Sequence, residues 1–105
     1  MNEMRVFCID GSKKIIFRQE GNVYICFDPK DLEFYEVNIT GACILFLVSY
    51  NTKFENMVHI LMDWFNMEKE GVEQYIIDFF DSFPMKSLIM TNLIELGVPN
   101  NVTIE

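Results

Sequence analysis

Before Asn38 the apolar positions come in short runs or alternate with polar ones; after it they recur at helical spacing. Lys14 to Arg18 is a short β-branched run, and Gly21-Asn22 beyond it is turn chemistry. Val23 to Phe27 predicts a second strand. Asp28-Pro29-Lys30-Asp31 predicts a second turn, because Pro presets φ and Asp bonds the local backbone. Leu32 to Val37 predicts a third strand, with Glu33, Tyr35 and Val37 on one face and Leu32, Phe34 and Glu36 on the other. Three strands joined by two tight turns make an antiparallel meander. Arg5 to Ile9 is a candidate for a further strand.

Asn38 is placed to cap a helix running from Ile39 to about Ser49. Ile44, Leu45, Phe46, Leu47 and Val48 make that helix apolar nearly all round, which predicts a central position. Thr52 and Glu55 have the spacing of a capping box and predict a second helix from about Lys53 to Phe65, with Phe54, Val58, Leu61, Met62 and Phe65 as its stripe. A third helix is predicted over Glu68 to Phe83. Val72, Tyr75, Ile76, Phe79, Phe80 and Phe83 fall on one helical face, and Pro84 stops the run. The remainder is less regular. Lys86 to Met90 reads as a short strand or a turn, and Gly97 to Asn101 as a loop. Val102 to Glu105 alternates like the start of a strand, which suggests a chain cut from something longer. The fold class is α+β: an N-terminal three-stranded antiparallel β-meander followed by three α-helices.

Composition narrows the function. The chain has 105 residues, half of them apolar and 23% charged, which excludes a disordered tail and suffices for one core. Eight Lys and Arg stand against sixteen Asp and Glu, for a net charge of −8. A surface that neutralises phosphates must be basic, so neither nucleic acid nor an anionic membrane is the expected partner. An acidic chain favours a partner with some positive charge. The longest uncharged stretch, Val37 to Thr52, is too short to span a bilayer. Cys8, Cys26 and Cys43 form no CxxC or metal knuckle. An odd count with no secretion signal predicts reduced thiols and a cytoplasmic location.

Candidate chemistry is sparse. His59 is the single histidine and has no nucleophile or orienting group in a recognisable motif. Asp10-Gly11-Ser12 reads as a turn, not a phosphate loop. Asp78 with Asp81, and Glu70 with Glu73, are acidic pairs that a solvated helix face explains. No metal-ligand cluster occurs, so no catalytic or metal residue is expected in this chain. A binding surface remains. The third strand of the meander is a natural edge, and beside an amphipathic helix it would form a groove where an extended peptide adds as a strand. The alternative is that Phe34 and Tyr35 are core and the flanking glutamates only protect the edge.

The stretches YICFDPKDLEFYEVNITGACILFLV, TKFENMVHILMDWF and GVEQYIIDFFDSF resemble the PqqD-like family, also called the RiPP recognition element, whose members serve ribosomally made, post-translationally modified peptides. The family pattern is matched by Val37-Asn38, Thr40-Gly41-Ala42 and Ile44-Leu45. It continues in Thr52, Glu55, Val58 and Leu61, and then in Val72, Asp78, Phe79 and Phe83. The resemblance covers about Lys14 to Ile89 and implies a winged helix-turn-helix-like domain over residues 1–90. It implies that the leader segment of a precursor peptide adds as a strand along Leu32, Glu33, Phe34, Tyr35, Glu36 and Val37. The facing helix would offer Gln74, Tyr75, Asp78, Phe79 and Ser82. Phe34→Asp or Phe79→Asp would then weaken leader binding.

The tail over residues 91–105 adds a second resemblance. Leu96 to Glu105 is similar to the lead-in of radical S-adenosylmethionine enzymes, just before their cluster-binding cysteines. This implies that S-adenosylmethionine and iron–sulfur clusters belong to a missing domain or a partner enzyme, with no cofactor in this chain. Two other readings stay open: a winged-helix transcription regulator, disfavoured by the acidic third helix, and a ligand-free domain that forms a homodimer through the exposed sheet edge.

Overall fold

The alternating N-terminal segment folds into four antiparallel strands rather than three. In the computed structural model, which describes residues 4–99, they are β1 (Val6–Asp10), β2 (Lys14–Glu20), β3 (Val23–Asp28) and β4 (Glu33–Asn38), in spatial order β1-β2-β3-β4. The candidate run near the N-terminus is the extra strand. Its register sets Phe7 opposite Phe17 and Ile9 opposite Ile15. Phe7 and Phe17 stack at 4.8 Å with the planes 13° apart, and Phe46 meets Phe7 edge-on at 5.4 Å. Such pairs add to the burial of their apolar area.

Both expected turns form. Gly21 closes the β2–β3 hairpin at φ +65°. The β3–β4 turn is built on Asp28, whose Oδ1 accepts from the backbone N–H of Lys30 (2.9 Å) and Asp31 (3.2 Å). Its Oδ2 lies 3.1 Å from the Lys13 ammonium, which also bonds Asp31. Asp28 is fully buried, and burial works against its charge. The Asp31 N–H, the Lys13 ammonium and the Lys30 N–H outweigh that and hold the carboxyl below its ordinary value. Lys13 is raised in turn, by Asp31 first and Asp28 second. Leu32, expected as the first residue of the strand, belongs to this turn instead. Its N–H donates to the Asp28 carbonyl at 2.8 Å and its φ is +58°, so the strand begins at Glu33.

The helices are α1 (Ile39–Ser49), α2 (Phe54–Phe65), α3 (Lys69–Ser82) and α4 (Met90–Leu96). Asn38 caps α1 as expected, its side-chain oxygen accepting from Gly41 N–H at 2.8 Å. Every residue of α1 from Ile44 to Val48 is buried, and the helix touches β1, β3, β4, α2 and α4. The expected Thr52 cap does not form. Asn51 takes a left-handed φ of +58°, the Thr52 N–H turns back to the Leu47 carbonyl, and Lys53 occupies the cap position without a side-chain capping bond, its ammonium donating instead to the Glu95 carbonyl at 3.0 Å. In α3 the buried positions are Val72, Ile76 and Phe80, with Tyr75 and Phe79 half-buried.

Beyond Pro84 the chain forms neither a short strand nor a simple turn. A 3-10 turn over Lys86–Ile89 leads into α4, which ends at Gly97 with φ +79°. Leu93, Leu96 and Val98 are buried in the same core as the sheet. The expected strand at Val102 to Glu105 lies outside the described residues. No described helix is long and apolar enough to cross a membrane.

Candidate functional site: a groove between a strand edge and a helix

Among the described residues β4 pairs with β3 along one side only, because it ends the sheet. In an antiparallel strand both backbone polar groups of every second residue point sideways, so the free side of β4 offers a row of donors and acceptors. That free side faces α3. Between them lies an open cavity of ≈ 360 Å³, lined on the strand by Glu36, Val37 and Asn38 and on the helix by Tyr75, Asp78, Phe79 and Ser82, with Phe83 and Pro84 closing one end.

The floor is apolar and held in place. Val37 is buried, and the Phe79 ring stacks on Phe83 at 5.5 Å. Phe79 reaches this position because residue 41 is glycine: a Cβ there would lie 2.4 Å from the ring's Cε1 and 2.9 Å from Val37 Cγ1. The separation of the walls is set by a polar chain. Asn38 Oδ1 accepts from the Thr40 hydroxyl at 3.1 Å, and that hydroxyl is bonded to the Tyr75 hydroxyl on α3. Tyr75 also packs on Phe65 of α2, with ring centroids 5.9 Å apart.

The lip is acidic. Glu36 projects from β4 and Asp78 from α3, and neither makes an ion pair among the described residues. Asp78 accepts a hydrogen bond from Gln74 Nε2 at 2.9 Å. Ser82 turns its hydroxyl back to the carbonyl of Phe79 at 3.2 Å. The arrangement can receive an extended chain: backbone pairing along β4, apolar side chains onto Val37 and Phe79, and cationic ones at the lip.

Glu36, Val37, Tyr75, Asp78, Phe79 and Ser82 of the residues expected at a peptide site thus come together. Leu32, Glu33, Phe34, Tyr35 and Gln74 do not line the cavity. Tyr35 is half-buried against the core, and Gln74 is hydrogen-bonded to Asp78. Phe34 lies on the opposite face of the sheet, 63% exposed and 4.9 Å from the Phe27 ring. Asn38, Phe83 and Pro84 line the groove although the sequence marks them only as a helix cap, a stripe residue and a helix stop.

The remaining reactive groups lie elsewhere. All three thiols are free. Burial pushes Cys26 up to about 12, with the Asp28 charge adding to it, and burial raises Cys43 as well. Among the described residues no three His, Cys, Asp or Glu side chains are grouped to hold a metal ion. Comparison of the chain with protein-family models, with curated proteins and with solved structures finds no match.

Proposed function

We propose that this chain binds the leader segment of a ribosomally made precursor peptide by strand addition and delivers it to a modifying enzyme. The observation that carries the reading is the edge of β4, unpaired among the described residues, standing beside α3, with the buried Val37 and half-buried Phe79 forming an apolar floor between them. Backbone pairing supplies affinity, and the floor selects apolar side chains at alternate positions of the added strand. Glu36 and Asp78 favour a leader with Lys or Arg at the lip.

The order of meander and three helices suits the winged helix-turn-helix-like domain that the resemblance implies. In this reading the domain performs no reaction. It tethers the precursor, which raises the effective concentration of the segment to be modified at a separate catalytic centre. The radical chemistry suggested by the tail, with its S-adenosylmethionine and iron–sulfur cluster, is assigned to that centre.

Calorimetric titration with the leader half of the precursor encoded beside the gene tests the proposal. Phe79→Asp removes the floor, and Ser82→Arg, at an exposed position, narrows the groove while leaving the core intact. Both weaken binding at least about tenfold, as loss of a buried anchor does at other interfaces. Wild-type affinity in a folded Ser82→Arg variant overturns the assignment of the groove.

A further inference from the structure

We propose that the outer face of the sheet, which shares Glu36 with the lip of the groove, is a self-association surface for a second copy of this chain. The strand register defines this face. Ile16, Phe27 and Phe34 are aligned across β2, β3 and β4, and the next row is Arg18, Ile25 and Glu36. No described helix covers them. Ile16, Ile25 and Phe27 are only half-buried, Phe34 is 63% exposed, and the hollow between them measures ≈ 490 Å³. One row is wholly apolar and continues into Ile25, with the charged Arg18 and Glu36 flanking it; such a face is an interaction surface rather than a solvated one, since an antiparallel sheet facing water alternates polar residues outward.

The occupant is a second copy because the pattern is self-complementary. Consider a two-fold axis parallel to the strands and passing over β3. It reverses the order of each row and leaves the rows aligned, so β2 of one chain lies over β4 of the other. Ile25 and Phe27 then meet their own counterparts on the axis. Ile16 meets Phe34, and Arg18 meets Glu36, each contact occurring twice, as an isologous interface requires. Face-to-face sheets sit about 10 Å apart, a gap that these side chains span.

Charge distribution agrees. Residues 4–38 carry five Lys or Arg against six Asp or Glu, while residues 39–99 carry three against eight. Joining two molecules through the sheet holds the acidic helices on the outside and apart. Arg18 is already 3.0 Å from Glu20 on its own strand, with its side chain 69% exposed, so it is oriented toward the solvent side of this face. The backbone edge of β4 stays open in this arrangement.

Sedimentation equilibrium over a concentration series, with charge-reversal variants at the two exposed positions, tests the inference. The wild type shows a monomer–dimer equilibrium. Arg18→Glu and Glu36→Arg each raise the dissociation constant by about tenfold or more, because each places like charges opposite one another twice. The double variant Arg18→Glu/Glu36→Arg restores it to within about threefold, since the pairs re-form with exchanged partners. Phe34→Glu abolishes the dimer. A wild type that stays monomeric up to roughly millimolar concentration, a dimer indifferent to Phe34→Glu, or a double variant no better than the singles overturns it.

Discussion

The ring of Phe79 on α3 rests against Gly41 at the start of α1, so closely that a Cβ on residue 41 would come within 2.4 Å of it. This contact lowers the ring to form the groove floor and brings α3 against the end of β4. Gly41→Ala forces the ring and Val37 outward. Overpacking of this kind costs about 1–3 kcal/mol, and the displaced ring fills the groove. Chemical denaturation and leader titration of the variant therefore both report a loss. Unchanged stability would show that the floor is not packed as described.

The Tyr75–Thr40 hydrogen bond fixes α3 relative to the β4–α1 junction. Tyr75→Phe removes it while keeping the ring packed on Phe65. A net loss of about 1 kcal/mol is expected, because Thr40 retains its bond to Asn38. Leader affinity falls with it if the bond sets the groove width. Denaturant midpoints and the titration separate the two effects.

Asp28 gives the fold a pH dependence of known sign. Its carboxyl is held below the ordinary range in the folded state. The stability it contributes is therefore present at neutral pH and is lost as the pH falls below about 4 and through its lowered value. Asp28→Asn is less stable than the wild type at pH 7, and the difference shrinks as the solution is acidified. A difference that persists unchanged in acid would mean that the side chain acts through its hydrogen bonds alone.

Cys26 is buried beside Met85, its sulfur 3.2 Å from the thioether, and its thiol is pushed up to about 12. The thiolate is the reactive form. At pH 8 a disulfide reagent therefore modifies Cys26 only as fast as the protein unfolds, and guanidinium exposes it. Peptide mapping by mass spectrometry identifies the labelled residue. Rapid labelling of Cys26 in the native protein would contradict the packing.

Periodicity made most of the elements legible. The stripe from Val72 to Phe83 has one register on a helix, and Asn38 sits where a cap is needed, so α1 and α3 were readable to within a residue at each end. The edge position of the last strand followed from the meander. The face of that strand did not. Tyr35 and Phe34 are both aromatic and sit on opposite faces, so alternation alone leaves either one inward. Leu32 looked like strand because its side chain is apolar, whereas its backbone, bonded to Asp28, closes the turn. The short α4 was hidden because seven residues after a 3-10 turn give too little repeat to read. The role of Gly41 was visible only as a small-residue helix start. The approach of Phe79, 38 positions further on, is a tertiary fact.

In the proposed function the free edge of β4 and the groove beside α3 receive an extended peptide. An amide-resolved NMR titration with the leader half of the precursor peptide encoded beside the gene tests it most directly. Saturable shifts confined to Glu33–Asn38 and Lys69–Ser82 are expected, with slowed hydrogen exchange at alternate amides of β4. Shifts centred on other elements, or none at saturating peptide, would contradict it.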